Sequence, residues 1–181
     1  MFMKSSIKRQ HEFDIAYMKM AIAMSELSYA IRKKVGSIIV SKNDQVISQG
    51  FNGTPSGYPN ICEYVNMRTI AIDMLYKQNM PEIDILKYVQ KEIDNGNTEL
   101  KLITKDEVLH AESNAISKCA KYHSSTKDGT LYVTLSPCIN CAKLIIQAEI
   151  KRVVYLEDYR DDSGIKLLEN CGIIVEKLNI D

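Results

Sequence analysis

Thr130-Leu131-Tyr132-Val133-Thr134-Leu135-Ser136-Pro137-Cys138-Ile139-Asn140-Cys141 is the stretch on which the fold turns. Its first six residues read as a strand. Ser136 and Pro137 then lead into a helix ending near Ala148, with Pro137 suited to the first helical position. Cys138 and Cys141 are three apart, so on one helical turn they share a face and can grip one ion. Upstream stands His110-Ala111-Glu112. Two residues apart inside a regular helix, His110 and Glu112 would point away from each other. Both reach one pocket only if that helix begins at about His110. This argues against Thr104-x-x-Glu107 as the capping box of an earlier start.

Zinc in a catalytic site takes three protein ligands and leaves a fourth position for water. His110, Cys138 and Cys141 supply three, and Glu112 is then free to carry protons. Helix N-termini and metal ions both favour thiolate over thiol. Alone, a C-x-x-C is compatible with structural zinc, a redox pair or chance, and a lone H-x-E says almost nothing. The two together, in this order, with proline before the first cysteine, are far more specific. Structural zinc is the alternative that remains.

Length and composition bound the answer. A chain of 181 residues fits one domain, 1–181, and can bury a substantial core. Lys+Arg and Asp+Glu are both 23, so there is no basic excess of the kind that nucleic-acid binding requires, and a small substrate is expected. No apolar run reaches the ~20 residues of a membrane span, and the N-terminus lacks a signal-peptide core. Five cysteines, an odd number, do not make a disulfide framework. The expected location is the cytoplasm, or the host cytoplasm for a viral protein, with thiols kept reduced.

Working outward, residues from about 11 to 31 carry helical periodicity through Phe13, Ala16, Tyr17, Met20, Ala21, Met24, Leu27 and Ser28. Val35–Val40 and Val46–Phe51, joined across Asn43-Asp44, read as a hairpin. Phe51-Asn52-Gly53-Thr54-Pro55-Ser56-Gly57 is a loop dense in amide and hydroxyl groups. From about 61 to 109 the pattern weakens into a helical insertion, with helices expected at 64–78 and 82–94, the second bounded by Pro81 and Asn95-Gly96. Further on come a helix over 110–122, strands at 130–135, 151–156 and 173–178, and a helix from Ser163 to about Cys171. Strands alternating with helices imply an α/β sheet covered by helices, largely parallel after the hairpin.

H-x-E followed by P-C-x-x-C is the recurring signature of the zinc-dependent nucleobase deaminases. The chain resembles the deoxycytidylate (dCMP) deaminase branch of the cytidine deaminase superfamily over nearly all its length outside 61–109. Lys34-Val35-Gly36-Ser37-Ile38-Ile39-Val40 is general to the superfamily. Cys141–Ala148 is shared as well, and the Asn52–Gly57 loop and the His110-Ala111-Glu112-Ser113-Asn114-Ala115-Ile116 segment are what point to the dCMP branch. The resemblance implies a three-layer α-β-α fold with a five-stranded mixed sheet between helices. It also implies zinc-dependent hydrolysis of dCMP to dUMP with release of ammonia. A homohexamer, activation by dCTP with Mg²⁺ and inhibition by dTTP belong to the same implication.

The resemblance also assigns Asn52 to the sugar hydroxyl and the backbone at Ala111 to the base carbonyl. It gives the phosphate to Thr54, Ser56 and Lys121. Lys121 stands where relatives often carry arginine, and so offers a point charge without a bidentate fork. Phage relatives can hold a second zinc in their insertion. Here Cys62 has only His11 and His123 to help it, so a buried free thiol is expected instead. Cys119 is expected in the core and Cys171 packed beside the Gly172 stop. Competing readings are a deaminase of cytosine, cytidine or tRNA adenosine, and a non-catalytic zinc module. Neutral charge disfavours tRNA, and a non-catalytic module has no use for Glu112.

Overall fold

The computed structural model describes residues 2–66 and 70–180, and these divide into two compact units. The first takes in residues up to Ser28, Val35–Asn52 and His110 onward; the second takes in Tyr29–Lys34 and Gly53–Leu109.

The first unit contains helix α1 (Phe2–Glu26), then strands β1 (Gly36–Val40) and β2 (Val46–Phe51). The second unit holds β3 (Glu63–Val65), α2 (Ile70–Lys77), α3 (Glu82–Asp94) and β4 (Leu102–Thr104). The first unit resumes with α4 (Ala111–Lys121), β5 (Thr130–Leu135), α5 (Ile139–Gln147), β6 (Arg152–Glu157), α6 (Ser163–Asn170) and β7 (Ile174–Lys177). Its five strands run in the order β2-β1-β5-β6-β7. β1 pairs antiparallel with both β2 and β5, while β5, β6 and β7 are mutually parallel. This is the mixed sheet that the alternation of strands and helices implies.

Strand periodicity sorts the core into two layers. Ile38, Val40, Tyr132 and Val154 face Met18 and Ala21 of α1. Their neighbours Ile39, Leu131, Val133, Val153 and Tyr155 face the opposite way, against Ala115 and Cys119 of α4, Ala142 and Ile145 of α5 and Leu168 of α6. Side chains alternate across a strand, so each of the central strands β1, β5 and β6 feeds both cores. The result is three layers, with α1 on one face and α4, α5 and α6 on the other.

On the α1 face a polar cluster ties the layers together. Asp14 accepts hydrogen bonds from Tyr132 Oη (2.7 Å) and from both terminal nitrogens of Arg152 (2.7 Å each). Arg152 also donates through Nε to Glu176 at 2.6 Å. Burial alone would raise the Asp14 pKa, but these bonds outweigh it and hold the carboxylate below its usual range. The cluster borders an open cleft of about 1070 Å³ that His110, Glu112, Cys138 and Cys141 do not line.

The second unit has its own core of Ile72, Ile85, Leu86, Val89, Leu100 and Leu102. β3 pairs antiparallel with β4, and the ends of the segment meet at a bridge between Gly53 and Leu109. The expected helix at 64–78 is corrected here: residues 63–65 form strand, and residues 67–69 lie outside the described residues. Tyr64 and Val65 gain partners in Ile103 and Leu102, a distant pairing that outweighs local pattern. Glu63, 1% exposed, accepts the backbone N–H groups of Ile31 and Arg32, which fastens residues 29–34 to this unit.

Candidate metal centre

Each half of the cysteine–histidine pattern sits at a helix start. His110 is the N-cap of α4 in extended conformation (φ −74°, ψ 157°), and its carbonyl accepts Asn114 N–H at 2.9 Å. Cys138 is the N-cap of α5 (φ −73°, ψ 168°), and its carbonyl accepts Ala142 N–H at 2.9 Å. N-cap side chains usually bond back to their own helix. Neither His110 nor Cys138 makes such a side-chain cap bond, and their donor atoms turn instead to one another and to Cys141. Pro137 therefore precedes the cap and does not occupy the first helical position, which falls to Ile139. Cys138 takes the non-helical φ/ψ of a cap, so the helix starts two residues later than proline chemistry suggests.

His110 Nδ1 lies 3.5 Å from Cys138 Sγ and 3.3 Å from Cys141 Sγ. All three donor atoms fall within 4.8 Å of one another. Zinc bonds of about 2.3 Å to sulfur and about 2.0 Å to nitrogen, at tetrahedral angles, separate those atoms by roughly 3.5 Å. The donor set and its spacing therefore fit zinc. Among the described residues this is the one such grouping of three or more metal-binding side chains.

The electrostatics suit a cation. Cys138 is pulled down to about 3 by hydrogen bonding from the Cys141 thiol, with His110 adding to it. Cys141 is pushed up by the same neighbour and by burial, so without metal the pair shares one proton. The bond to Cys138 raises His110. Glu112, the second residue of α4, is 3% exposed, and burial raises its pKa. A buried carboxyl poised above its ordinary range beside a metal site is suited to taking and giving protons.

Backbone fit fixes the two helix starts. A Cβ at Gly50 would lie 2.1 Å from Ala111 O and 2.8 Å from Ala115 N, so α4 can approach β2 only across a glycine. Ser37 Oγ donates to Ala111 O at 2.8 Å and Ser48 Oγ donates to Ala115 O at 2.7 Å. Asn114 Nδ2 donates to Phe51 O at 2.9 Å, and Lys118 Nζ to Gln49 O at 3.0 Å. Sequence reasoning passed over these supports. The signal for Gly50 was present: glycine inside a strand marks close backbone approach.

The other predicted residues are placed as follows. Ala111 is the first helical residue of α4 and stands beside Glu112. Asn52 holds Val35 at both ends: its Oδ1 accepts Val35 N–H at 2.8 Å and its N–H donates to Val35 O at 3.0 Å. Thr54 and Ser56 belong to the second unit, where Thr54 Oγ1 donates to Asn60 Oδ1 at 2.8 Å and Ser56 is exposed. Lys121 ends α4, ten residues from Ala111 and so ~15 Å along the axis from the metal ligands, with its Nζ 5.3 Å over the Tyr122 ring. The structure does not bring Lys121 to the metal centre. Cys62 is buried with Ala30 and Val108, and Cys119 is buried under α4. Cys171 is exposed, not packed, because it caps α6 where Gly172 (φ +75°) turns the chain away.

A three-layer α/β sheet presenting one histidine and two cysteines at paired helix starts, with a buried glutamate beside them, defines a zinc-dependent hydrolytic enzyme. Residues 11–157 match the cytidine and deoxycytidylate deaminase zinc-binding region, and the chain belongs to that family. It is 36% identical over 172 residues to a deoxycytidylate deaminase of Enterobacteria phage T4, covering 87% of this chain and 86% of that protein. The human deoxycytidylate deaminase is 32% identical over 148 residues, covering 81% of this chain and 66% of the human protein. Among solved structures, the dCMP deaminase of cyanophage S-TIM5 in complex with dCMP and dUMP is 36% identical, with a TM-score of 0.67. That match covers 90% of this chain and 94% of the phage chain. Among the described residues no helix is long and apolar enough to cross a membrane.

Proposed function

We propose that this enzyme deaminates dCMP to dUMP with release of ammonia, in the cytoplasm, as a step of pyrimidine deoxynucleotide metabolism. The observation that carries the reading is the placement of Glu112 two residues beyond His110, at the helix start where His110, Cys138 and Cys141 meet within 4.8 Å. Relatives named deoxycytidylate deaminase, and a similar structure that binds dCMP and dUMP, support the choice of substrate.

Bound there by His110, Cys138 and Cys141, zinc would supply a water acidified toward a pKa of about 7. Glu112 takes the proton from the attacking water and delivers it to the pyrimidine ring nitrogen next to the carbon that bears the amino group. As the water oxygen bonds to that carbon, Glu112 carries the second water proton to the amino group, the carbon–nitrogen bond breaks, ammonia leaves, and the carbon keeps the oxygen as a carbonyl. Burial of the Glu112 carboxyl suits it to holding a proton between these steps. The N–H at Ala111, in the first turn of α4 where no intrahelical acceptor is available, is a donor suited to the base carbonyl. Motif likeness alone carries three further assignments: the sugar hydroxyl to Asn52, the phosphate to Thr54, Ser56 and Lys121, and the regulation. The regulated form is a homohexamer, activated by dCTP with Mg²⁺ and inhibited by dTTP.

Ammonia release from a panel of cytosine, cytidine, deoxycytidine, CMP and dCMP tests the substrate. A kcat/KM for dCMP well above that for deoxycytidine is expected, and equal values would overturn the monophosphate claim. Light scattering and saturation curves with each triphosphate test the regulation. A monomer with hyperbolic kinetics indifferent to both would overturn it.

A further inference from the structure

The turn that carries Cys138 is gripped by a segment that comes some twenty residues later in the chain. Gly164, the second residue of α6, approaches so closely that a Cβ there would lie 2.0 Å from Pro137 O, 2.8 Å from Cys138 C and 2.9 Å from Pro137 C. All three are backbone atoms, which cannot swing aside as a side-chain tip can. Two hydrogen bonds hold the same turn from the end of β6 and the loop after it. Tyr159 N–H donates to Ser136 Oγ at 2.7 Å, and Ser136 N–H donates to Glu157 O at 2.8 Å. Ser136 is 3% exposed, so water does not readily replace either bond.

We infer that Gly164 and Ser136 are positioning residues for the Cys138 ligand and thereby set how tightly the centre holds its metal. The inference rests on reading His110, Cys138 and Cys141 as a zinc centre. Cys138 makes no side-chain cap bond, so the backbone of the turn decides where its sulfur stands. Cys141 rides on the same helix start and moves with it. His110 does not, because α4 is fastened separately to the sheet through Ser37 and Ser48. Any displacement of the Cys138 turn therefore changes the sulfur–nitrogen distances while leaving the two sulfurs together. Zinc bonds tolerate only about 0.2 Å of departure from their normal lengths. A methyl group at Gly164, which would meet backbone at 2.0 Å, demands a larger adjustment.

The test uses the zinc-loaded full chain and the variants Gly164→Ala, Ser136→Ala and Gly129→Ala. Gly129 is the control: a Cβ there would crowd backbone as well, at 2.6 Å from Val40 O, but away from the Cys138 turn. The readouts are the rate of zinc transfer to excess chromophoric chelator, the thiolate charge-transfer band of the cobalt-substituted protein, and Tm. Supports around a metal ligand typically account for 10- to 100-fold in affinity, so transfer from Gly164→Ala is expected to be roughly that much faster, with a shifted cobalt band. Ser136→Ala is expected to change both in the same direction by less. Gly129→Ala should lower Tm and leave transfer rate and band as in wild type. Wild-type transfer in Gly164→Ala overturns the inference, as does equally fast transfer in Gly129→Ala. Should Gly164→Ala fail to fold, Ser136→Ala decides by the same criterion. A wild-type chain that binds no zinc overturns the centre itself, and this inference with it.

Discussion

His110 and Cys138 hold the same place on two different helices: each is the cap residue before the first turn, and Nδ1 of one lies 3.5 Å from Sγ of the other. Two helix N-termini thus converge on one point. Their partial positive ends favour anionic ligands, which agrees with a Cys138 held as thiolate even without metal.

One zinc per chain is expected by elemental analysis. Cys138→Ser and Cys141→Ser should each lose it, because a catalytic site with three protein ligands has none to spare. Cys62→Ser should keep it, since Cys62 lies in an apolar pocket with Ala30 and Val108. Two zincs in the wild type, one of them lost in Cys62→Ser, would contradict this.

Gly50→Ala tests the seat of α4. Its Cβ would lie 2.1 Å from Ala111 O, so either the strand or the helix start must move. Overpacking of this kind costs about 1–3 kcal/mol. We expect a lowered Tm, measured by calorimetry, together with a fall in kcat, because Ala111 and Glu112 share the displaced turn.

Asp14 supplies a pH-dependent contribution to stability. Its folded pKa lies below the ordinary 3.8, so the contribution is complete above 3.8 and is lost as pH falls from there through the lower folded value. Asp14→Asn removes one partner of a mostly buried pair. Breaking a fully buried pair costs ~3–5 kcal/mol, and about 2 kcal/mol is expected here because Arg152 keeps Glu176. Thermal unfolding of both proteins across pH should show a Tm gap at pH 7 that closes below about pH 4. A gap that persists at low pH would contradict it.

The grouping of His110, Cys138 and Cys141 was legible because its chemistry is local: two short spacings and one proline pick out residues that the fold brings within 4.8 Å. Helix and strand positions in the first unit were legible for a similar reason, since the central strands β1, β5 and β6 feed both cores and so carry apolar runs. What escaped was set by distant partners. Nothing local marks residues 63–65 as strand; their pairing with Leu102–Thr104 decides it. Asp14 and Arg152 meet across 138 residues, and neither looks unusual in its own segment. Pro137 misled by two positions, because a cap is defined by backbone angles that proline's preference does not fix. Cys171 was expected inside because it adjoins Gly172, yet that glycine's left-handed turn leaves the cap exposed.

The central claim is that Glu112 moves protons and does not hold the metal. It is tested most directly by measuring zinc content and ammonia release from dCMP in the same preparation of Glu112→Gln. General acid–base groups contribute ~10²–10⁴-fold, and Glu112 serves more than one step, so a loss at or beyond the upper end is expected with full zinc retained. Near wild-type turnover, or loss of zinc along with activity, would contradict the account.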